Sequence, residues 1–217
     1  MKGLQRSAAV AVLVLLVLML PAAAARAELV DRVVASVNND VISLNDLRQA
    51  VAFNLALGGK GSGRKLAVEV LDGLINRSLL RQEAARLRFV EVTDQEVAAE
   101  VARLRERLGS EQAYRGFLAR TGMTEDQLGR LLGERLLVER FVERKIGLYA
   151  RVSRDDAEAY FRDHAEEFKG KRFPEVQKQI SSLLAGQMVS QQLDLYLADL
   201  RGRADIRINP LSDRDGF

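Results

Sequence analysis

Leu29-Val30-Asp31-Arg32-Val33-Val34-Ala35-Ser36-Val37-Asn38-Asn39-Asp40-Val41-Ile42-Ser43 places two short extended runs on either side of a polar turn. Val33, Ala35 and Val37 alternate with Arg32, Val34 and Ser36, the period of two that a strand requires. Asn38-Asn39-Asp40 follows, and Asn and Asp tolerate the positive φ that tight hairpin turns need. Val41 and Ile42 begin the return strand. The reading is a hairpin; for so short a run an irregular extended arm is the alternative. A hairpin leaves open edges, and residues 204–208 are a fitting partner, with Asp205 and Arg207 alternating against Ala204, Ile206 and Ile208. Between these ends the period is helical. The chain therefore reads as mainly α, a multi-helix core with a small β element made by the N-terminal hairpin and the C-terminal strand.

Helix punctuation is frequent. Ser43 with Asp46 resembles a capping box, and Leu44, Leu47, Val51 and Leu55 then share a face. Gly58-Gly59-Lys60-Gly61-Ser62-Gly63 breaks this helix. It lacks the Gly-Lys-Ser/Thr ending of a phosphate loop and follows a helix rather than a strand, so it reads as a flexible linker. Residues 65–88 form a long helix with Leu71, Leu74, Ile75 and Leu79 as its stripe. Thr93-Asp94-Gln95-Glu96 is a full capping box opening a helix to Leu108, with Gly109 as its stop. Ser110 opens a shorter helix carrying Tyr114, Phe117 and Leu118, ended by Gly122. Thr124 with Gln127 opens a long one whose broad apolar face runs from Leu128 to Ile146. Ser153 with Asp156 opens another, expected to close near Phe168. The last, with Pro174 in its first turn, runs to about Arg201 with Val176, Ile180, Leu183, Leu184, Met188 and Leu195 along it.

The segment before the hairpin has the pattern of an export signal. Lys2 and Arg6 precede an unbroken apolar run of 13 residues, 8–20, closed by Pro21. Ala25-Arg26-Ala27 then offers small residues at the two positions a signal peptidase reads, so cleavage is expected after Ala27. A membrane span needs roughly 20 apolar residues, which this run does not reach. Of 33 Lys and Arg and 30 Asp and Glu, the signal removes Lys2, Arg6 and Arg26 and no acid, leaving 30 of each sign. A neutral chain gives no support to nucleic acid as a partner. With no cysteine, stability has to come from a packed core.

Catalytic patterns are not found. His164 is the single histidine and sits among Arg162, Asp163, Glu166 and Glu167, where it reads as a solvated helix residue. No second His or Cys can join it on zinc, and no Gly-x-Ser-x-Gly turn is present. Asp155, Asp156, Glu158, Glu166 and Glu167 lie at helical spacing among basic residues and read as solvated ion pairs. So does the mixed run from Arg77 to Arg107, which lacks the aromatic interleaving of a base-stacking surface.

The stretch 29–43 resembles the opening of SurA-type periplasmic chaperones, where an extended segment ending in Val-Asn-(Asn/Asp/Gly) leads into an acid-containing helix start. Leu71-Asp72-Gly73-Leu74-Ile75-Asn76-Arg77-Ser78-Leu79-Leu80 and Val92-Thr93-Asp94-Gln95-Glu96-Val97 are similar to the family's next two helix segments, and residues 173–208 to its C-terminal piece. The resemblance implies a helical module that cradles unfolded outer-membrane proteins. Members often carry parvulin prolyl-isomerase domains where this chain has only Lys169-Gly170-Lys171-Arg172, and four residues cannot hold a domain of at least about 50. The expectation is a periplasmic chaperone for unfolded outer-membrane or secreted proteins, with no catalysis, cofactor, metal or nucleic acid, and no membrane span once the signal is cleaved. An envelope prolyl isomerase and a structural adaptor with one fixed partner are the alternatives. The expected segments are a signal (1–27), an N-terminal helical region (28–168), a C-terminal helix and strand completing the same module (173–210) and a tail (211–217). Tyr114, Phe117, Met123 and Met188 are the candidate peptide-binding residues, because aromatics and Met suit adaptable apolar surfaces; burial in the core is the competing reading for each.

Overall fold

The computed structural model describes residues 31–88, 90–147, 151–212 and 215–217. The expected signal, with Ala25 and Ala27 at its cleavage site, lies outside the described residues. Strand β1 (Val33–Val37) turns through Asn38-Asn39 into β2 (Asp40–Ser43). Only the first loop residue, Asn38, takes a positive φ, 54°. Seven helices follow among the described residues: α1 (Leu44–Ala56), α2 (Gly63–Leu87), α3 (Asp94–Leu108), α4 (Glu111–Thr121), α5 (Glu125–Ile146), α6 (Arg154–Asp163) and α7 (Phe173–Arg203). Strand β3 (Ile206–Ile208) closes the sheet in the order β2-β1-β3, antiparallel throughout. The mainly α architecture with one small sheet is therefore as expected, and both ends of the described chain meet on β1. Among the described residues no helix is long and apolar enough to cross a membrane.

Hydrophobic alternation along β1 holds from Ala35 to Val37 and fails at Val34. The pairing steps from Val33↔Ser43 to Ala35↔Ile42, so Val34 is the extra residue of a bulge. A bulge bends the strand and re-aims one side chain, and Val34 is fully buried. The bulge lies on the β2 side; towards β3 the Val34 carbonyl continues the ladder, accepting from Asn209 N–H at 2.9 Å.

Reciprocal capping boxes open α1 (Ser43/Asp46), α3 (Thr93/Glu96), α5 (Thr124/Gln127) and α6 (Ser153/Asp156). Each satisfies two backbone donors that a helix start leaves unpaired. Helix α6 is shorter than expected. It ends at Asp163, and i→i+3 bonds such as Glu167 N to His164 O (2.9 Å) carry the chain through tight turns that fold Phe168 inward. His164 is half-buried rather than solvated: its ring stacks on Tyr160 with centroids 3.8 Å apart.

Three apolar clusters hold these elements. The largest joins the sheet to α1, α2, α5 and the C-terminal half of α7 around Val34, Leu47, Ile75 and Phe141. A second gathers Phe53, Leu104, Tyr114, Phe117, Met123 and Leu128 from α1, α3, α4, α5 and the turn before α5. A third joins α6 to the start of α7 through Ala157, Phe168, Val176 and Ile180. Helix α7 thus serves two cores, and between them Leu183 and Met188 face solvent, as Leu195 does further along. The last residues pack as well: Leu211 is buried in the largest cluster, and the Asp215 carboxylate pairs with Arg32 while its carbonyl accepts from Arg48.

Candidate binding grooves

The described surface carries three large depressions around α5. The first, of about 320 Å³, lies between β2, α1, α2 and α5, with Ile42, Ala50, Leu74 and Leu131 as apolar lining and Met123 at its edge. The hairpin turn forms its rim, tied to α2 through Asp40. Ser78 Oγ (2.6 Å) and Gln82 Nε2 (2.7 Å) donate to the Asp40 carboxylate, and Arg81 completes the cluster with an ion pair. Burial pushes this carboxyl up, but the bonds from Ser78, Gln82 and Arg81 outweigh it and hold it below its ordinary value.

The second depression, of about 660 Å³, continues along α1, α2 and α5 over Phe53, Leu57, Leu66, Val70, Leu74 and Leu131. Gly58-Gly59, expected only as linker, forms one wall. A Cβ on Gly59 would lie 2.7 Å from the Asn54 backbone carbonyl oxygen, so the loop folds back this closely on α1 because the residue is glycine. Lys60, Arg77 and Arg135 line this groove against a single acid, Glu69.

Ala50, Leu74, Arg77 and Leu131 border both depressions, which therefore share a wall. Arg77 is the unusual member. It is half-buried, and among the described residues it has no hydrogen-bond or ion-pair partner. Burial holds its guanidinium below its ordinary pKa and Arg135 adds to this, while Glu134 opposes. The third depression, of about 600 Å³, lies where α3 crosses α5 at Gly129 and Gly133. A Cβ on Gly133 would sit 3.1 Å from Val97 Cγ2, so the glycines permit the close approach. Its rim is acidic, with Asp94, Glu125, Asp126 and Glu134 against Arg130.

The expected binding residues divide. Tyr114 and Phe117 are buried in the second cluster, Phe117 meeting Phe53 edge-on at 5.7 Å. This is the core placement that competed with a binding role for them, and in this conformation they back the groove wall without presenting surface. Met123 is mostly buried but reaches the first groove. Met188 is exposed on α7, away from all three. Arg77 escaped the sequence reading, which placed it on a solvated charged face. The signal was its spacing: it follows Val70 and Leu74 by seven and three residues, a helical stripe that is otherwise apolar.

Comparison with known proteins agrees with the architecture. The family model described as the SurA-like N-terminal domain matches residues 1–142. A curated protein named Chaperone SurA, from Pseudomonas putida, is 28% identical over 137 residues, covering 60% of this chain and 32% of its own length. The chain thus spans about a third of that relative. A solved structure from work on two structurally related SurA-like chaperones of Campylobacter jejuni shares the fold, with a TM-score of 0.54 at 13% identity, covering 83% of this chain and 100% of the other. With the family match extending over well more than half of its residues, the chain belongs to the SurA-like N-terminal domain family.

Proposed function

We propose that this chain is a periplasmic chaperone that holds unfolded outer-membrane or secreted proteins in its helical grooves, without catalysis. The observation that carries the reading is the pair of adjoining grooves along α1, α2 and α5, whose apolar floor is edged by charged side chains. Such a surface suits many apolar segments held weakly and reversibly, because floor contacts are non-directional and the rim stays wet. Family membership supports it, as do the name of the Pseudomonas relative and the signal pattern of residues 1–27. Met123, at the groove edge, and Met188, with the exposed Leu183 and Leu195 on α7, are proposed as contact residues.

The test is aggregation of a urea-denatured outer-membrane barrel protein diluted into buffer and followed by light scattering. Stoichiometric chain is expected to suppress the scattering. No suppression would remove the chaperone reading. Clear acceleration of cis/trans exchange in a proline peptide would overturn its non-catalytic part.

A further inference from the structure

We infer that the joined groove prefers extended client segments in which an internal Asp or Glu is flanked on both sides by apolar residues, with Arg77 as the residue that reads the carboxylate. The inference rests on the chaperone reading and names what the groove selects.

Three observations carry it. First, Arg77 is a half-buried guanidinium without a hydrogen-bond or ion-pair partner among the described residues. Guanidinium offers five donors, and half-burial beside Leu74 and Leu131 removes part of their water without supplying a protein acceptor. A carboxylate entering the groove supplies the missing acceptor in the two-pronged geometry arginine favours. Second, the second groove carries Lys60, Arg77 and Arg135 against Glu69, so its charge complements an acid. Arg81 is already committed to Asp40, and Glu134 on the first groove reaches Arg77 only by its charge, which leaves Arg77 as the guanidinium bordering both grooves with no carboxylate bonded to it. Third, Arg77 lies on the wall common to the two depressions. A segment running through both crosses Arg77 partway along, with Ile42 and Met123 ahead of it and Phe53, Leu57 and Val70 behind. A chain ending at Arg77 would leave one groove empty. The geometry therefore favours an internal acidic side chain over a terminal carboxylate.

The experiment uses the protein produced from its full-length chain and three fluorescein-labelled peptides followed by anisotropy. One is an amidated 12-residue peptide with a central Asp among Val, Leu and Phe. The second has Asn in place of Asp. The third stops at the Asp with a free carboxylate. The Asp peptide is expected to bind about tenfold more tightly than the Asn peptide, the ordinary scale for one charged hydrogen bond, and more tightly than the truncated one. Arg77→Met is expected to bring the Asp and Asn peptides within about twofold of each other, and Arg77→Lys to keep part of the preference. Arg77→Met should also melt no lower than the parent, because it removes an unpaired half-buried charge; a purely structural arginine would lower the melting temperature when removed.

Equal binding of Asp and Asn peptides by the unaltered chain overturns the inference and needs no variant. So does a preference that survives in Arg77→Met, or tightest binding of the truncated peptide. Suppressed aggregation without an Asp preference defeats this inference alone. Failure to suppress aggregation defeats the chaperone reading beneath it.

Discussion

Tyr114 holds a hydroxyl whose oxygen is buried and has no hydrogen-bond partner among the described residues. Burial pushes its pKa up, with the neighbouring Arg105 opposing and the Glu125 carboxylate assisting, and a buried polar group without a well-formed bond costs about 1–3 kcal/mol. Its ring is well used: Arg105 lies over it at 4.3 Å, and the ring packs in the second cluster with Phe53 and Phe117. Tyr114→Phe keeps the ring and removes the unmet group. The variant is expected to be more stable by about 1 kcal/mol in urea unfolding; a loss of stability would show that the hydroxyl is bonded in solution. The same residue shows why the binding positions were hard to read from sequence. An aromatic on the apolar face of α4 has one periodicity whether that face meets a neighbouring helix or a client. Which occurs depends on α1 and α5 closing over Tyr114 and Phe117, contacts between residues distant in sequence.

Helix starts marked by a capping box, by contrast, were legible to the residue, whereas α2, expected from residue 65, begins at Gly63. A capping box is complete within four residues, so Thr93/Glu96 and Thr124/Gln127 could be read without knowing the fold. The bulge at Val34 was not, because it exists only relative to the register of β2. Nor was the division of α7, where one helix meets two separate cores. What fastens the C-terminal half of α7 is equally non-local. Glu83 on α2 accepts both prongs of Arg86 at 2.7 Å and the Tyr196 hydroxyl of α7 at 2.9 Å. The bond from Arg86 first, with burial opposing and the bond from Tyr196 assisting, holds the Glu83 carboxyl at about 2 against an ordinary 4.5. Burial, then the bond to Glu83, pushes the Tyr196 hydroxyl up to about 12. A carboxyl held below its unfolded value stabilises the fold above that value, and the contribution drains away as pH falls toward the folded value. The urea midpoint is therefore expected to decline from about pH 4.5 toward pH 2. Glu83→Gln should be less stable than the parent at pH 7, with the gap narrowing across that window. A gap of constant size would show that the charge on Glu83 does not hold the two helices together.

Across the molecule, the sheet is where the ends are joined. Strand β1 pairs with β2 on one side and β3 on the other, Ala35 opposite Ile208. The residues that follow add Leu211 and Phe217 to the largest cluster and bring Asp215 to Arg32 and Arg48. Deleting residues 204–217 would bare one edge of β1 and open the core beneath it. Losing one buried leucine alone costs about 2–5 kcal/mol, and a bare strand edge invites pairing with another chain. The shortened chain is expected to lose its cooperative thermal transition and to scatter light on standing. An unchanged melting curve would show that the helices close the core without the third strand.

The partnership of β1 with β3 also orders events in time. A chain is made from its N-terminus, and β1 emerges about 170 residues before the strand that completes it. Until the final turn of α7 has been synthesised, β1 waits with one side unpaired, and only then can the loop between them close. In those moments the newborn chain has the same exposed apolar surface and open strand edge as the segments its finished grooves are proposed to hold, and its earliest occupant is a matter of what else is near.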